Sequence, residues 1–307
     1  MSLNELERSS LAAIRGGPAS TLPMGEETPA AWIKFGLGVL LESGRHLREA
    51  RLAAFKGVDF KSDGSPVTDL EAAIERQIAA SLQGFSPEAV LVGEETGGTL
   101  PGTGLAIAID PLDGTWAFLS RTENITTTLA AFRDGWPFLG MVLNPATGEI
   151  GYALEDGPTR LLQLSIFGED DSAHALPIPR ADTDSVLVNF HPGRAAGPLV
   201  AKLYESWAGG DVRMVRSPGG SPAGALLEAA KGSFVYVNLW SKRPAEAYDL
   251  AAGCLLVRGA GGDVTGLDGL PIDPVSHAGP FVAAVDEESR SMVADLVRSV
   301  TDGDNQS

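Results

Sequence analysis

The sequence predicts an α/β protein in which a largely antiparallel sheet is followed by a part where strands and helices alternate. Three observations support this fold class: two helical patterns near the start, a run of short apolar segments separated by turns, and strand–helix pairs after residue 184. A chain of 307 residues can form one large domain or two ordinary ones.

Two helices are predicted in the first part of the chain. Thr28 followed by Pro29 is a typical helix start, because threonine caps the first amides and proline fits the first helical position. This helix is expected to run through residues 31–55. Thr68 and Glu71 match a capping box at the start of the second helix. The apolar face of that helix is formed by Ile74, Ile78 and Leu82.

Short strands joined by turns are predicted between residues 89 and 157. The segments are AVLVGEE, LAIAID, TTTLAAFRDG, WPFLGMVLNP and EIGYALEDG. Asp134-Gly135 is typical of a tight hairpin, and residues 144–148 are typical of a second turn. This pattern predicts a mostly antiparallel meander and not a parallel alternation.

A polar stretch at 168–184 marks the predicted boundary before the strand–helix alternation. We expect a disordered or loosely attached N-terminus at 1–25, an N-terminal half at 26–168, a C-terminal α/β half at 169–300 and a tail at 301–307. The alternating segments are SVLVNF, GPLVAKLYESW, DVRMV, SPAGALLEAAK, FVYVNLW, AEAYDLAAGCLLVRG, GPFVAAVD and EESRSMVADLVRSV.

The composition of the chain limits the cellular compartments and the binding partners that we expect for it. Cys254 is the only cysteine, and the first residues carry mixed charge without a sustained apolar run, which together predict a cytoplasmic protein. No apolar stretch is long enough for a membrane-spanning helix. A formal charge of −17 disfavours nucleic acid as a partner. This negative charge is still compatible with small phosphorylated ligands if metal ions supply local positive charge.

Acidic residues follow two successive predicted strands. Glu94 lies in GEE, and Asp110 and Asp113 lie in DPLDGT, so neighbouring strands would bring three carboxylates to one sheet edge. Two carboxylates ~4 Å apart repel by ~4 kcal/mol at an effective dielectric constant of about 20. A proton or a cation is therefore needed among them, and oxygen ligands favour Mg²⁺. Asp-Pro-Leu-Asp-Gly is also typical of a turn that binds no metal.

Three motifs, GEE at 93–95, IDPLDGT at 109–115 and YDLAAG at 248–253, together resemble those of the inositol monophosphatase family of Mg²⁺-dependent, lithium-sensitive phosphatases. The resemblance extends over residues 30–290. It implies an α/β layered sandwich with alternating helix and sheet layers, as in inositol monophosphatases and fructose-1,6-bisphosphatases. It also implies an active site between the two halves, and a homodimer.

The resemblance implies two or three Mg²⁺ ions per site. Glu94, Asp110 and the main-chain carbonyl of Leu112 would hold the first ion. Asp110, Asp113 and Asp249 would hold the second, and a third, weaker ion would bind near Glu94 when substrate is present. Taken alone, Asp249 is also explained as an acid that stabilises the dipole of its helix.

The same resemblance assigns roles around the metals. Gly114 and Thr115 would begin a short helix whose amides hold the phosphate. The Thr115 hydroxyl, linked to Glu71 where the family usually has aspartate, would orient the attacking water; the capping box is the alternative role of Glu71. We expect Glu95 to support catalysis beside the metal ligands or on the third ion, with a solvated surface acid as the alternative.

Substrate contacts are expected in the C-terminal half. Gly220 and Ser221 match the family's substrate segment best, although Ser221 before Pro222 is also typical of a helix cap. Asp249 would contact the substrate as well as the metal.

The loop before Asp249 departs from the family pattern. Inositol-specific members carry a glutamate seven residues before this aspartate, where this chain has Lys242. Asn238 takes the place of that glutamate if the longer loop lies after it. Lys242 and Arg243 would favour a bisphosphate substrate, or they are solvated loop charges.

These motifs predict a Mg²⁺-dependent phosphomonoesterase that hydrolyses a small phosphorylated metabolite with a metal-activated water, inositol monophosphate being the first expectation. The alternatives are a 3′(2′),5′-bisphosphate nucleotidase, a fructose-1,6-bisphosphatase and a histidinol-phosphatase. An alternative of a different class is a non-catalytic regulatory relative. Intact acidic motifs favour an enzyme over that alternative.

Overall fold

The computed structural model describes residues 3–15, 28–52, 58–60, 66–164, 171–178, 185–189, 196–217, 219–239 and 246–304. The helices are Glu5–Arg15 (α1), Pro29–Leu52 (α2), Asp69–Phe85 (α3), Thr115–Leu119 (α4), Ala196–Gly209 (α5), Pro222–Ala230 (α6), Ala247–Gly259 (α7) and Glu287–Asp304 (α8). The strands are Val58–Phe60 (β1), Pro66–Thr68 (β2), Val90–Gly93 (β3), Leu105–Asp113 (β4), Thr126–Arg133 (β5), Trp136–Asn144 (β6), Glu149–Leu154 (β7), Arg160–Gln163 (β8), Ser172–Ala175 (β9), Ser185–Asn189 (β10), Met214–Arg216 (β11), Val235–Asn238 (β12), Asp263–Gly266 (β13) and Phe281–Ala284 (β14).

The larger sheet has seven strands in the order β3-β4-β5-β6-β7-β8-β9. β3 and β4 run parallel, and the other neighbouring pairs are antiparallel. The predicted hairpin joins β5 to β6, where Asp134 and Gly135 both have positive φ, 52° and 81°. The predicted turn at 144–148 joins β6 to β7. The predicted meander is therefore confirmed, and β1 and β2 form a separate two-stranded sheet.

The smaller sheet has five strands in the order β11-β10-β12-β14-β13. β10 is parallel to both of its neighbours, whereas β14 is antiparallel to both of its own. Strands and helices alternate along this part of the chain, as the sequence predicts. This alternation supplies helices to both faces of the sheet.

Helix and sheet layers alternate through the molecule. One face of the larger sheet packs against α1, α2 and α3, and its other face packs against α6 and α7. The smaller sheet lies on the far side of α6 and α7, and α5 and α8 cover its outer face. Because side chains alternate along a strand, Ala106 and Ala108 of β4 face one apolar cluster while Ile107 and Ile109 face the other. The α/β layered sandwich is confirmed.

The N-terminal helix corrects one expectation. Residues 1–25 are predicted to be disordered or loosely attached, but the segment that the structure describes within them contains α1. Leu11 packs into the cluster beneath α2, and Glu7 is fully buried against the larger sheet. Burial of an apolar and a paired acidic side chain explains why this helix is held in place.

The predicted boundary at residue 168 also differs from the structure. β9 lies beyond that residue but pairs with β8, so the larger sheet continues past the boundary. A short polar strand at a sheet edge carries little apolar signal, which explains why the sequence pattern did not reveal it. Within the described parts of the chain, no helix combines the length and the apolar character that crossing a bilayer requires.

Candidate active site

Parallel pairing of β3 and β4 brings the first acidic residues together. Gly93 is in register with Ile109, so Glu94 and Asp110 follow at equivalent positions on neighbouring strands. The Glu94 amide donates to the Ile109 carbonyl at 3.3 Å and extends the pairing by one residue. The two predicted strands are therefore neighbours, as the argument for a shared acidic edge requires.

The segment from Asp110 to Asp113 forms an irregular end of β4. Its pairing with β5 shifts register between these two residues. Asp110 Oδ1 accepts a hydrogen bond from the Leu112 amide at 2.8 Å, and the Thr127 hydroxyl donates to the Pro111 carbonyl at 2.8 Å. The segment is thus a turn built into a strand end. That turn is also what places both aspartates at one edge, so the turn and metal interpretations are compatible.

Asp113 accepts hydrogen bonds from the start of α6. Its Oδ2 accepts from the Ser221 hydroxyl at 2.5 Å and from the Ala223 amide at 3.0 Å. Ser221 Oγ also lies 2.6 Å from Thr126 Oγ1 and accepts from an amide of the first helical turn at 2.7 Å. Ser221 is therefore the N-cap of α6 with Pro222 at its first position, which confirms the helix-cap interpretation.

Asp249 lies in the first turn of α7, as the sequence predicts. Its Oδ2 accepts from the Glu246 amide at 2.8 Å. Thr128, which pairs with Asp110 across the β4–β5 ladder, donates its hydroxyl to the Tyr248 carbonyl at 2.9 Å. This bond ties the start of α7 to the strand beside Asp110. The C-terminal half thereby brings its acid to the edge of the larger sheet.

Glu94, Asp110, Asp113 and Asp249 form what we call the acidic cluster. Asp110 is 3% exposed, and burial raises its pKa well above the ordinary value of 3.8. The negative charges of Glu94 and Asp113 raise this pKa further, and the charge of Asp249 adds to them. The hydrogen bond from the Leu112 amide lowers the pKa but does not reverse its direction. Asp110 thus lies among negative charges, a setting that favours a bound cation.

Asp113 shares this electrostatic setting. Burial raises its pKa to about 7, although the hydrogen bonds from Ser221 and Ala223 act to lower it. The charge of Glu94 raises the pKa, and the Thr126 hydroxyl lowers it. Two adjacent carboxyl groups therefore both resist ionisation until positive charge is supplied.

Thr115 follows the acidic cluster as the first residue of α4. Its hydroxyl donates to Glu71 Oε1 at 3.0 Å and lies 3.2 Å from the Leu112 carbonyl oxygen. Glu71 is buried in the first turn of α3. The structure thus brings together the two residues that the sequence linked through the resemblance, 44 positions apart.

Gly114 forms the N-cap of α4 in the left-handed region, with φ of 96°. A Cβ added there would lie 2.8 Å from the Asn124 carbonyl oxygen and 2.8 Å from the Ser221 nitrogen. Both the backbone angle and the lack of space require glycine. The tight turn places the Gly114 amide directly before α4, and the Gly114 carbonyl accepts the first hydrogen bond of that helix, from the Phe118 amide at 3.0 Å.

The donor set of the acidic cluster fits Mg²⁺. It consists of carboxylate oxygens and the nearby Leu112 carbonyl, and hard cations of this kind bind oxygen and complete their shell with water and phosphate. Among the residues that the structure describes, no three His, Cys, Asp or Glu side chains already converge into a metal cage. Three of the carboxylates accept hydrogen bonds from Leu112, Ser221 and Glu246.

The remaining predicted residues differ in how well they face this site. Glu95 is partly exposed in the loop after β3. Gly220 directly precedes the α6 cap with φ of 127°. Ser221 and Asn238 are 0% and 1% exposed, so substrate contact by these two side chains stays a prediction that their burial does not favour. Lys242 and Arg243, like the rest of 240–245, lie outside the described residues.

Two supporting features escaped the sequence interpretation. Glu75 is fully buried one turn after Glu71, and its carboxylate accepts hydrogen bonds from the loop that carries Glu94. The run Thr126–Thr128 supplies hydroxyls that bind the Asp110–Asp113 turn and the ends of α6 and α7. The sequence did contain a signal for each feature. Glu75 is an acid on the apolar face of a predicted helix, and Thr126–Thr128 is a run of threonines in the strand that follows DPLD.

The fold and the site define an α/β layered protein whose two halves contribute acids to one edge. The profile of the inositol monophosphatase family matches residues 30–301, and the chain belongs to that family. The family and its named members indicate a phosphatase, a phosphoric monoester hydrolase.

The relatives that the chain resembles carry several names. The chain is 30% identical over 231 residues to a histidinol-phosphatase of Mycobacterium tuberculosis, covering 74% of this chain and 82% of the relative. It is 32% identical over 215 residues to an inositol-1-monophosphatase of Rhizobium meliloti, covering 69% and 76%. It is 29% identical over 226 residues to the Nus factor SuhB of Escherichia coli, covering 68% and 74%.

A solved structure shows the same fold. The inositol monophosphatase of Thermotoga maritima superposes with a TM-score of 0.69 at 22% identity, covering 88% of this chain and 98% of that one. At this identity the likeness supports the architecture alone.

Proposed function

We propose that the protein is a Mg²⁺-dependent phosphomonoesterase that acts on a small phosphorylated metabolite, with inositol monophosphate as the first candidate. The single observation that carries the proposal is the setting of Asp110. This aspartate is buried among the charges of Glu94, Asp113 and Asp249, and the Gly114-Thr115 turn follows directly. A site that concentrates negative charge beside a helix start suits a cation and a phosphate together.

The acidic cluster would hold two or three Mg²⁺ ions. Glu94, Asp110 and the Leu112 carbonyl would hold the first ion. Asp110, Asp113 and Asp249 would hold the second ion. When bound, Mg²⁺ supplies positive charge that lowers the pKa of water and stabilises the leaving oxygen. The burial of Asp110, and the hydrogen bonds that Asp113 accepts from Ser221 and Ala223, keep these donors in one fixed arrangement.

Thr115 and Glu71 would orient the attacking water. The Thr115 hydroxyl donates its proton to Glu71, which leaves the hydroxyl oxygen available to accept a hydrogen bond from water. The water oxygen forms a bond to phosphorus as the ester P–O bond breaks, and the products are an alcohol and inorganic phosphate. The Gly114 and Thr115 amides would hold the phosphoryl oxygens, and Glu95 would support the reaction from the neighbouring loop.

The relatives support more than one substrate. The similarity to inositol-1-monophosphatases supports inositol monophosphate as the first candidate. The similarity to the M. tuberculosis histidinol-phosphatase supports histidinol phosphate as a second candidate. A bisphosphate would be favoured if Lys242 and Arg243 reach a second anionic group. The similarity to the Nus factor SuhB keeps a regulatory role as the alternative of a different class. The proposal further includes a cytoplasmic homodimer, which rests on the resemblance and the single cysteine.

The decisive experiment measures inorganic phosphate release with and without Mg²⁺. The substrates are inositol 1-phosphate, histidinol phosphate, fructose 1,6-bisphosphate and adenosine 3′,5′-bisphosphate, and Asp249→Asn serves as the inactive control. We expect turnover that requires Mg²⁺, favours one substrate and is absent in the control. Mg²⁺ binding without release from any of the four would contradict the phosphatase proposal for these substrates and favour the regulatory role.

A further inference from the structure

Glu75 is a buried carboxylate whose two oxygens both accept hydrogen bonds from main-chain amides. It lies on α3 one turn after Glu71 and is fully buried. Its Oε1 accepts from the Glu95 amide at 2.7 Å, and its Oε2 accepts from the Thr96 amide at 2.8 Å. Such charge-assisted bonds to main-chain amides are short and strong, and they offset the cost of burying the group.

The loop that Glu75 holds is the one that carries Glu94. Two main-chain hydrogen bonds close this loop. The Gly93 amide donates to the Gly97 carbonyl at 3.1 Å, and the Gly97 amide donates to the Gly93 carbonyl at 3.0 Å. The Glu94 amide is bonded to Ile109 on β4, on one side of the loop. Glu75, on α3, accepts hydrogen bonds from the next two amides. The orientation of Glu94 towards Asp110 thus depends on two independent attachments of the loop.

The space for Glu75 exists because residue 93 is glycine. A Cβ added at Gly93 would lie 2.5 Å from Glu75 Cδ and 2.7 Å from its Oε1. No heavier residue fits there unless the carboxylate moves. Gly93 and Glu75 therefore pack directly against each other, and a change at either position should displace the same loop.

We propose that Glu75 is a positioning residue that fixes the Gly93–Gly97 loop so that Glu94 can bind a divalent cation beside Asp110. This inference rests on the proposed function, because it assigns Glu94 to the metal site. Glu75 itself contacts main-chain amides rather than the cation or the substrate. Residues that orient a metal ligand in this way typically change metal affinity by about 10- to 100-fold when replaced.

The test uses Glu75→Gln in the full-length protein. Glutamine offers one oxygen and one NH₂ group where two oxygens are needed, so one of the two amides would face another donor. We expect a loss of Mn²⁺ affinity of about 10- to 100-fold, measured on metal-free protein by electron paramagnetic resonance of unbound Mn²⁺. At saturating metal, the KM for the best substrate should change little, because Glu75 does not touch the substrate.

Glu7→Gln is the matched control. Glu7 is equally buried and accepts hydrogen bonds through both oxygens, but its partners are Tyr152 of β7, Arg160 of β8 and the Asn4 amide. We expect this variant to lose thermal stability while binding Mn²⁺ as the wild type does. An equal loss of Mn²⁺ affinity in the control would overturn the inference, because any buried acid would then have the same effect.

Gly93→Ala provides a second route to the same loop if Glu75→Gln does not fold. It keeps Glu75 chemically unchanged but pushes its carboxylate aside by contact, so it should weaken Mn²⁺ binding in the same direction. A folded Glu75→Gln or Gly93→Ala protein with wild-type Mn²⁺ affinity would overturn the inference. Failure of the proposed function looks different, since the wild type would then bind Mn²⁺ but release no phosphate from any of the four substrates.

Discussion

Glu7 and Asp110 are both buried carboxylic acids, yet their surroundings push their pKa values in opposite directions. Burial raises the pKa of Glu7, but the Arg160 hydrogen bond, the Asn4 amide and the Tyr152 hydroxyl outweigh burial and lower it below 4.5. Burial raises the pKa of Asp110 too, and the neighbouring negative charges raise it further. Burial costs the ionised form in both places, so the partner decides the outcome.

The difference separates a structural acid from an acid built for a ligand. Arg160 binds Glu7 with Nε and Nη2, both at 3.0 Å, so the chain itself supplies the compensating cation. At Asp110 the strongest nearby charges are other acids, and the compensating charge must come from outside the chain. Replacing Asp110 should therefore affect function, whereas replacing a partner of Glu7 should affect stability.

The largest effect is expected for Asp110→Asn. Removing the shared donor of both metal groups should lower phosphate release by at least about 10³-fold, since each 1.36 kcal/mol is tenfold and a catalytic metal contributes several kcal/mol. Without metal, the variant should unfold at the same urea concentration as the wild type or at a higher one. The reason is that the substitution removes a buried carboxylate that the neighbouring acids repel. Marked unfolding without metal would instead assign Asp110 a purely structural role in its turn.

Arg160→Met should give the largest loss of stability. It leaves Glu7 buried without its cation, and breaking a buried pair on one side costs roughly 3–5 kcal/mol. Urea unfolding followed by circular dichroism measures this loss, while phosphate release per folded molecule should stay at the wild-type level. The double variant Glu7→Leu/Arg160→Met is the control, because removing both charges should recover much of the stability. An unchanged unfolding midpoint in the single variant would show that α1 contributes little.

The pH dependence of stability should have opposite signs at the two places. The stability that Glu7 contributes is complete above its ordinary pKa of 4.5 and is lost as pH falls through the lowered value in the folded state. Asp113 has a folded-state pKa of about 7 against an ordinary 3.8, so the unfolded chain releases this proton first. Metal-free protein should therefore lose stability as pH rises from about 4 to about 7.

Urea unfolding at a series of pH values, with EDTA or with Mg²⁺, tests both signs. Asp113→Asn should flatten the decline between pH 4 and 7 in EDTA, and Glu7→Gln should flatten the decline at acidic pH. Mg²⁺ should remove the first decline in the wild type, because it binds the ionised cluster. A metal-free protein that gains stability between pH 4 and 7 would contradict the raised pKa of Asp113.

Tyr152→Phe should have the smallest effect. It removes the hydroxyl that donates to Glu7 Oε1 at 2.8 Å but leaves both bonds from Arg160. A hydrogen bond to a charged group contributes about 1.5–3 kcal/mol, and the remaining partners place the expected loss at the lower end. Thermal unfolding measures it, and Mg²⁺-dependent activity should not change. A loss as large as that of Arg160→Met would show that the phenol is an equal partner of Glu7.

Much of the architecture could be predicted because local patterns follow local physics. The Thr28-Pro29 start, the Asp134-Gly135 hairpin and the Ser221-Pro222 cap all depend on neighbours in the chain, and all three are found. The helix Glu5–Arg15 also has a local signal, because Asn4 and Glu7 bond each other's amides at its start, but where it packs could not be predicted in this way. Its place depends on Tyr152 and Arg160, which lie 145 and 153 positions away from Glu7.

The acidic motifs themselves could be recognised from the sequence, because DPLDGT is typical of a turn and YDLAAG begins an apolar helical pattern. What only the tertiary structure decided is how they meet. Thr128 ties α7 to the strand beside Asp110, and Glu75 holds the loop of Glu94 from a separate helix. Turns and caps depend on interactions within a few residues, whereas the pKa of a buried acid depends on charges from every segment packed around it.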